Sequence, residues 1–519
     1  FKCGGAHLLP GLRSAARPPA SRSAAALRAW ALPLRKVLAM LHALRWSLSS
    51  ALELLRLRQF GIVRCLVGWA LELTLVGWAL QLTHTEPRVE NEHADCARVA
   101  EILHRRKLPV SLASVSDFIL GRARAVPPEA VLVDNVSLYC ISEHEAVFVE
   151  VPPGCDVYAC ASAPSPFLFD AQFELATRVI RMPLQALMRL SSQVEFEPAS
   201  LLLLSNTTRC GSMLLCDLLE GVPGMRVLRE PDALTCMLAL GALSLDAQRA
   251  IVRAVLRMLC KPTRARPAAA LRAGEDEAGR QAERSAAAGA EGGPPRFAIK
   301  PRGHCIKLLQ LLDDAAPGCR HIFLYRDGLT TVQSMTRAYS SESAQLSRYW
   351  LMQSPLVRSL FPVDAAAVKG VIVISDDPHL EWARSEAYFT QLPVFAKYAL
   401  LWAVICRTYV QRRAAGMRIA ACKLEDLERD RERFCAGVFA WCAIDAKHAA
   451  LAALASSQAG DAHGASIFSR SRLSKFGTMA VDSPTLRRQL DEICDNCGVP
   501  RLGEQPGLLP GTLGHDPPG

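Results

Sequence analysis

Four consecutive leucines, Leu201–Leu204, run into the polar stretch Ser205–Gly211, and apolar residues return at helical spacing from Ser212. An unbroken apolar run of that length followed by a loop and a helical period reads as a buried strand, a turn and a helix. The same order of events recurs. Strand-like runs stand at Arg226–Leu228, Phe297–Ile299, His321–Tyr325, Val371–Ile374 and Met417–Cys422, with helical spacing between them, as in "FAKYALLWAVICRTYVQRR". Alternation of this kind predicts an α/β fold, a three-layer sandwich around a mainly parallel central sheet, spanning residues 198–498.

Residues 262–295 interrupt the pattern with almost no large apolar side chains and read as a disordered insertion. Upstream, residues 89–197 read as a small mixed α+β domain, with strand-like runs broken by turns at Asp134–Asn135, Glu143–His144 and Pro152–Gly154. The Pro/Gly-rich residues 499–519 read as a loose tail.

Residues 1–88 form a basic, helical N-terminal arm in this reading. The chain carries 60 Lys/Arg, 50 Asp/Glu and a net charge of +10, and residues 1–64 hold eleven of those bases but one acid. The rest is therefore balanced, and no broad nucleic-acid surface is implied. Residues 11–30, rich in Ala, Arg and Ser, suit a transit peptide or a cytosol-facing tail. Within 61–83 the unit Leu66–Thr74 repeats as Leu75–Thr83, differing only at Glu72 and Gln81. A spanning helix needs ~20 apolar residues, and a central acid costs on the order of 3 kcal/mol. Two readings stay open: a membrane anchor, or an amphipathic or buried helix pair. The flanking charges would make the body lumenal, in the Golgi, if 61–83 spans; otherwise the chain is cytoplasmic.

Among the 18 cysteines, Cys494 and Cys497 form a lone C-x-x-C without a second pair at zinc spacing, so no metal is expected. Asn135-Val136-Ser137 and Asn206-Thr207-Thr208 fit the glycosylation sequon, the first being the better acceptor if the body is lumenal.

The loop after Leu204 carries the chemistry. Ligands of parallel sheets bind beyond the strand carboxyl ends. There Ser212 opens a helix with unpaired N–H groups and a positive dipole end. Gly211 permits close backbone approach, and Arg209 adds a planar cationic fork. Together they form an anion cradle for phosphate or sulfate. A Walker A loop is ruled out, because the chain has no G-K dipeptide.

"TTRCGSMLL" resembles the 5′-phosphosulfate loop of sulfotransferases, commonly T-P-R-S-G-S/T-T-x-L. "CRHIFLYRDGLTTVQSMTRAY" is similar to their 3′-phosphate motif, an Arg at a strand end and a Ser eight residues on, here Arg326 and Ser334. Gly328 stands where the family usually has Pro. "FAIKPRGHCIKLLQLL" resembles the strand end that carries the family's lysine, here Lys300. "CKLEDLERD" resembles the late "yEDL" segment. The likeness covers about residues 198–450.

The resemblance implies a P-loop-like sulfotransferase fold and 3′-phosphoadenosine 5′-phosphosulfate (PAPS) as donor, with a hydroxyl or amine of a carbohydrate or protein as acceptor. It assigns the 5′-phosphosulfate to Arg209 and to the loop Cys210, Gly211, Ser212, Met213 and Leu214. It assigns the bridging oxygen to Lys300 and the 3′-phosphate to Arg326 and Ser334. Arg472 and Lys475, in "SRSRLSKFG", would close over the nucleotide. Glu230, His304 or neither would be the general base, and all three readings stay open. Met213 stands where the family has a hydroxyl, which leaves a non-catalytic nucleotide-binding scaffold as the alternative. Lys300 also has a simpler expected role, an ion pair with Asp327.

Overall fold

The structure is a computed structural model that describes residues 96–105, 107, 112–158, 166–241, 243–261, 296–340, 378–384, 392–445, 447–448 and 483–515. All lie in one unit, His93–Gly519. The chain first builds an antiparallel sheet from β1 (Ala97–Arg105), β2 (Phe118–Leu120), β3 (Arg124–Val126), β4 (Val136–Ile141), β5 (Glu145–Glu150) and β6 (Arg178–Pro183), with helices α1 (Leu168–Leu175) and α2 (Leu184–Ser191). The order is β2-β1-β6-β5-β4, with β3 also paired to β1. The turn at Glu143–His144 joins β4 to β5, whose register runs from Val136 opposite Glu150 to Ile141 opposite Ala146.

The leucine run is β7 (Leu201–Asn206), followed by α3 (Ser212–Glu220), β8 (Met225–Arg229), α4 (Asp232–Cys236) and α5 (Leu245–Leu259). Then come β9 (Arg296–Lys300), α6 (Leu309–Ala315), β10 (Arg320–Tyr325), α7 (Gly328–Ser340), α8 (Val394–Ala414), β11 (Ile419–Lys423), α9 (Leu424–Arg429), α10 (Arg431–Trp441) and α11 (Pro484–Cys497). The five strands form a parallel sheet in the order β11-β10-β7-β9-β8. The protein is thus α/β with a parallel sheet.

Period-two burial sets what covers each face. Leu202 and Leu204 of β7 and Ile322 and Leu324 of β10 join one apolar cluster with Leu215 and Leu219 of α3 and Val438 of α10. Their neighbours point the other way. Leu201 and Leu203 pack with Val255 and Leu259 of α5, in a cluster that also takes in Leu138 and Phe148 of the antiparallel sheet. Phe323 and Tyr325 pack with Phe395 and Tyr409 of α8 and Ile493 of α11. A strand buried on both faces needs no polar alternation, which is why β7 reads Leu-Leu-Leu-Leu.

Lys261 ties the end of α5 to the antiparallel sheet and the turn before β4. It is buried, and its ammonium donates to the carbonyls of Val131, Val133 and Val136 at 2.6, 2.8 and 2.6 Å.

The tail differs from the expectation of a loose segment. Ala421 N–H donates to Gly511 C=O at 3.0 Å and Leu513 N–H to Ala421 C=O at 2.9 Å, so the tail pairs with the edge strand β11. Leu502 and Leu509 pack into the α8 cluster. Pro and Gly content predicted looseness, but these apolar and carbonyl groups find partners along an otherwise open sheet edge.

Among the described residues no helix is long and apolar enough to cross a membrane. The arm 1–88 with its 61–83 stretch, the insertion 262–295, Val371–Ile374, Arg472 and Lys475 lie outside the described residues. The described cysteines are free thiols. Of the sequon asparagines, Asn206 is buried and its amide donates to Pro301 C=O at 3.1 Å, while Asn135 is half-buried and its amide donates to Val151 C=O at 2.8 Å.

Candidate functional site

All five parallel strands end at one edge of the sheet. In spatial order their ends carry Lys423, Arg326, the 206–211 loop, Lys300 and Glu230. The chain leaves β7 for β8 and β9 on one side and later returns to β10 on the other. The gap between β7 and β10 is therefore the topological switch point, where open α/β sheets take ligands.

The loop after β7 is tightly built. Asn206 Oδ1 accepts from Thr208 N–H at 3.0 Å, and Thr207 N–H donates to Leu324 C=O at 3.1 Å. Thr208 and Arg209 hold positive φ of 60° and 46°, followed by Gly211 at 77°. Positive φ costs a side-chain-bearing residue of order 1–3 kcal/mol and concentrates at functional sites. Among the described residues the non-glycine positions with positive φ are Thr208, Arg209, Glu230 and Ala443, so three of the four stand at this edge. Successive N–H groups in such a turn make an anion-binding concavity. Gly211 is the N-cap of α3, and no side chain caps that helix start. A Cβ at Gly211 would lie 2.3 Å from Leu424 Cδ1, so the position requires glycine for space as well as for φ.

Arg209 Nε donates to Ser334 Oγ at 3.2 Å, joining the loop after β7 to α7, which follows β10. Cys210 is fully buried and its thiol, raised by burial, donates to Leu324 C=O at 3.3 Å. Only its backbone faces the loop's chemistry. Ser212 is buried, and Leu214 packs on the α3 side of the sheet. Met213 is buried in one apolar cluster with Phe167 and Phe169, whose rings stack on each other at 5.6 Å. The aromatic pair at the start of α1 accounts for an apolar side chain where the resemblance expects a hydroxyl.

At the tip of β10, Arg326 Nε lies 3.8 Å from Glu425 Oε1, and the same oxygen accepts from Asp327 N–H at 3.0 Å. Asp327 is occupied as the cap of α7, accepting from Thr330 N–H at 2.9 Å. Gly328 is explained by close approach: a Cβ there would meet Leu502 Cδ2 at 2.4 Å and Trp402 at 3.0 Å. The docked tail takes the space a proline ring would fill.

The expected Lys300–Asp327 pair is corrected. Lys300, buried at the end of β9, pairs with Glu230 at the end of β8, because β8 and β9 are neighbours and β10 lies beyond β7. Glu230 N–H also donates to Lys300 C=O at 2.6 Å. Burial raises the Glu230 carboxyl, but the Lys300 ammonium and the Arg302 guanidinium outweigh it and hold the group below its ordinary range. His304 is driven down to about 3, by burial first and then by Arg302. It is neutral near pH 7.

Arg302 and Asp232 form a further pair that the sequence did not disclose. The fork is bidentate, Nε to Oδ1 at 2.7 Å and Nη2 to Oδ2 at 2.8 Å, and both residues are buried. Asp232 also accepts from Ala113 N–H at 2.9 Å, and the Arg302 guanidinium sits 4.3 Å from the Phe169 ring centre. The antiparallel sheet's connections thus brace the Glu230–Lys300 pair. The signal in the sequence was slight, an acid in the first turn of a helix.

Several buried polar atoms at this edge have no hydrogen-bond partner among the described residues: Thr208 Oγ1, His304 Nε2, Arg326 Nε and Thr331 Oγ1. Buried polar groups are normally paired, so a cluster of orphans marks a place built for a polar ligand. Cationic side chains, uncapped helix N–H groups and these orphans together fit a polyanion.

No protein-family model matches the chain, and no curated protein does. Solved structures show distant likeness. The sulfotransferase domain from the Synechococcus PCC 7002 olefin synthase is 14% identical, with 57% of this chain and 94% of that one covered at a TM-score of 0.28. Sulfotransferase STF9 from Mycobacterium avium is 12% identical, covering 62% and 83% at 0.30. Mouse sulfotransferase SULT7A1 complexed with PAP is 13% identical, covering 59% and 87% at 0.25.

Proposed function

We propose that this chain is a sulfotransferase of the P-loop-like kind, which moves a sulfuryl group from PAPS to a hydroxyl or amine of a carbohydrate or protein acceptor. The observation that carries the reading is the Arg209–Ser334 hydrogen bond at 3.2 Å. It joins the two motifs that resemble the family's 5′- and 3′-phosphate sites across the switch point of a parallel sheet. A molecule with anionic groups at both ends matches such a cleft.

PAPS supplies the sulfuryl group, carried on a phosphate leaving group. In this reading Arg209 and the N–H groups of Gly211, Ser212 and Met213 hold the 5′ end and stabilise charge on the leaving side. The Cys210 and Leu214 backbones complete the loop. Arg326 and Ser334 take the 3′-phosphate, with Glu425 orienting the guanidinium. The Arg209–Ser334 bond opens as the nucleotide enters, since each partner then faces an anion. Lys300 neutralises the bridging oxygen. Glu230 takes the acceptor's proton as a carboxylate; His304, neutral and without a partner at Nε2, lines the same side. The resemblance also assigns Arg472 and Lys475, which lie outside the described residues, to the nucleotide. Such catalysis is mainly positioning and electrostatics, which a weakly basic carboxylate satisfies.

One observation favours a second reading, a nucleotide-binding scaffold without turnover. Glu230 and Lys300, the proposed base and the proposed cation for the bridging oxygen, are already paired to each other.

Calorimetry with 3′,5′-ADP on the wild type and Arg326→Ala tests the site. The variant should bind roughly tenfold or more weakly, as loss of a charge-assisted hydrogen bond implies. Equal binding by both removes the 3′-phosphate assignment. Transfer of labelled sulfate from PAPS to a pool of carbohydrate and protein acceptors then separates the enzyme from the scaffold.

A further inference from the structure

The opposite end of β10 gathers three ligand-type side chains that the proposed function does not use. Asp313 lies in α6, Cys319 in the turn after it, and His321 near the start of β10. Their ligand atoms all lie within 4.8 Å of one another. His321 Nε2 is 3.1 Å from Cys319 Sγ and 3.2 Å from Asp313 Oδ1. The turn that brings them together is closed by Ala316 N–H to Leu312 C=O and Cys319 N–H to Ala316 C=O, both at 3.0 Å. Five residue steps separate His321 from Arg326, roughly 16 Å.

Both contacts are made to the same ring nitrogen. A Cys-His-acid relay runs thiol and carboxylate through the two different ring nitrogens, so this group is not wired as one. Hydrogen bonding does not satisfy it either. If Nε2 carries a proton for Asp313, it offers no lone pair to the Cys319 thiol. If it accepts from the thiol, its lone pair faces the carboxylate. A cation at the point of convergence removes the conflict, because sulfur, nitrogen and oxygen then all donate lone pairs to it.

We infer that Asp313, Cys319 and His321 form a zinc-binding site with water as the fourth ligand. Thiolate, neutral imidazole and carboxylate together carry two negative charges, matching a divalent ion. The mixed S, N and O set is one that zinc accepts. The 3.2 Å separation of nitrogen and oxygen is close to the ~3.3 Å expected across tetrahedral bonds of about 2.0 Å. Cys319 and His321 are buried, whereas the Asp313 side chain is 37% exposed, which gives the ion an entry and room for water. The sequence reading of no metal looked to Cys494 and Cys497, which are not members of this group.

The test is a cobalt titration of the full chain after removal of metal with a chelator. One Co²⁺ per chain should bind with thiolate-to-cobalt charge-transfer absorption that Zn²⁺ bleaches. Cys319→Ser should lose the absorption, and the double variant Cys494→Ser/Cys497→Ser should keep it. Asp313→Asn should weaken Co²⁺ binding by more than the ~10-fold that loss of even an outer-shell partner costs. No absorption in the wild type, an unchanged absorption in Cys319→Ser, or its loss in the double variant overturns the site. Should Cys319→Ser fail to fold by circular dichroism, the half-exposed Asp313→Asn decides, and unchanged affinity there overturns it equally.

Discussion

Lys300 and Glu230 are joined twice, once by ammonium to carboxylate and once through the main chain, where Glu230 N–H meets Lys300 C=O at 2.6 Å. Glu230 reaches this position with φ of 56°, a conformation that favours glycine. The strain is held by the two bonds, so the carboxylate is fixed at the edge where β8 and β9 end.

Removing the carboxylate therefore has two readouts. Glu230→Gln leaves the Lys300 ammonium, whose side chain is 4% exposed, without its charge partner, and should cost about 3 kcal/mol of stability. Burial raises the Glu230 carboxyl, but Lys300 and Arg302 hold it net below 4.5. A lowered folded value stabilises the protein above the unfolded value, and this is lost as pH falls through the folded one. Wild type should thus lose stability faster than Glu230→Gln as pH drops below about 4.5. Parallel stability–pH curves from denaturant titrations would discard the pairing. In the sulfate-transfer assay the variant should lose turnover while still binding 3′,5′-ADP.

The loop after β7 offers a steric test that leaves its charges alone. Gly211→Ala places a Cβ 2.3 Å from Leu424 Cδ1 at a φ of 77°. Overpacking of this kind costs about 1–3 kcal/mol, and the left-handed backbone adds ~1–2 kcal/mol. Adding Leu424→Ala should relieve the first contribution and not the second. Chemical denaturation of the four-member cycle measures both. Strict additivity of the two single variants would show that Gly211 and Leu424 do not meet.

What was legible in the sequence was what lies close along it. The four leucines of β7, the helix opening at Ser212 and the strand ending at Tyr325 all announce themselves by period. The place of Arg209 beyond a strand end follows too, because a parallel sheet sends every strand end to one edge, whereas Ser334 in α7 is marked only by its resemblance to the family's 3′-phosphate motif. Partners contributed by other layers were not legible. Met213 is buried by Phe167 and Phe169, which arrive from α1. Arg302 pairs with Asp232 across the whole of the 262–295 insertion. Sequence order sets Lys300 against Asp327, the acid after the next strand, but strand order puts Glu230 beside it. Period reports burial, and it does not report which strand lies next to which.

The docking of the tail is hidden in the sequence for a related reason. Tyr325, the residue before Arg326, shares a hydrogen bond with Thr512 Oγ1 at 2.9 Å, and its oxygen accepts from Leu509 N–H at 3.2 Å. Lys423 at the tip of β11 donates to Pro506 C=O, and His515 Nε2 lies 2.8 Å from Asp426 Oδ2. Truncation after Gly498 strips these partners from two strand tips and uncovers the β11 edge, an open pairing surface. The truncated chain should unfold at lower denaturant and self-associate, as read by light scattering. A narrower change separates packing from the edge. Thr512→Val keeps the tail but removes the hydroxyl that faces the buried Tyr325 oxygen, and should cost about 1 kcal/mol. Tyr325→Phe should cost more alone, because it also removes the acceptor of Leu509 N–H, and the double variant should cost less than the sum, because the two changes share one bond. If the two costs simply add, the tail does not rest on Tyr325, and the space it takes beside Gly328 needs another explanation.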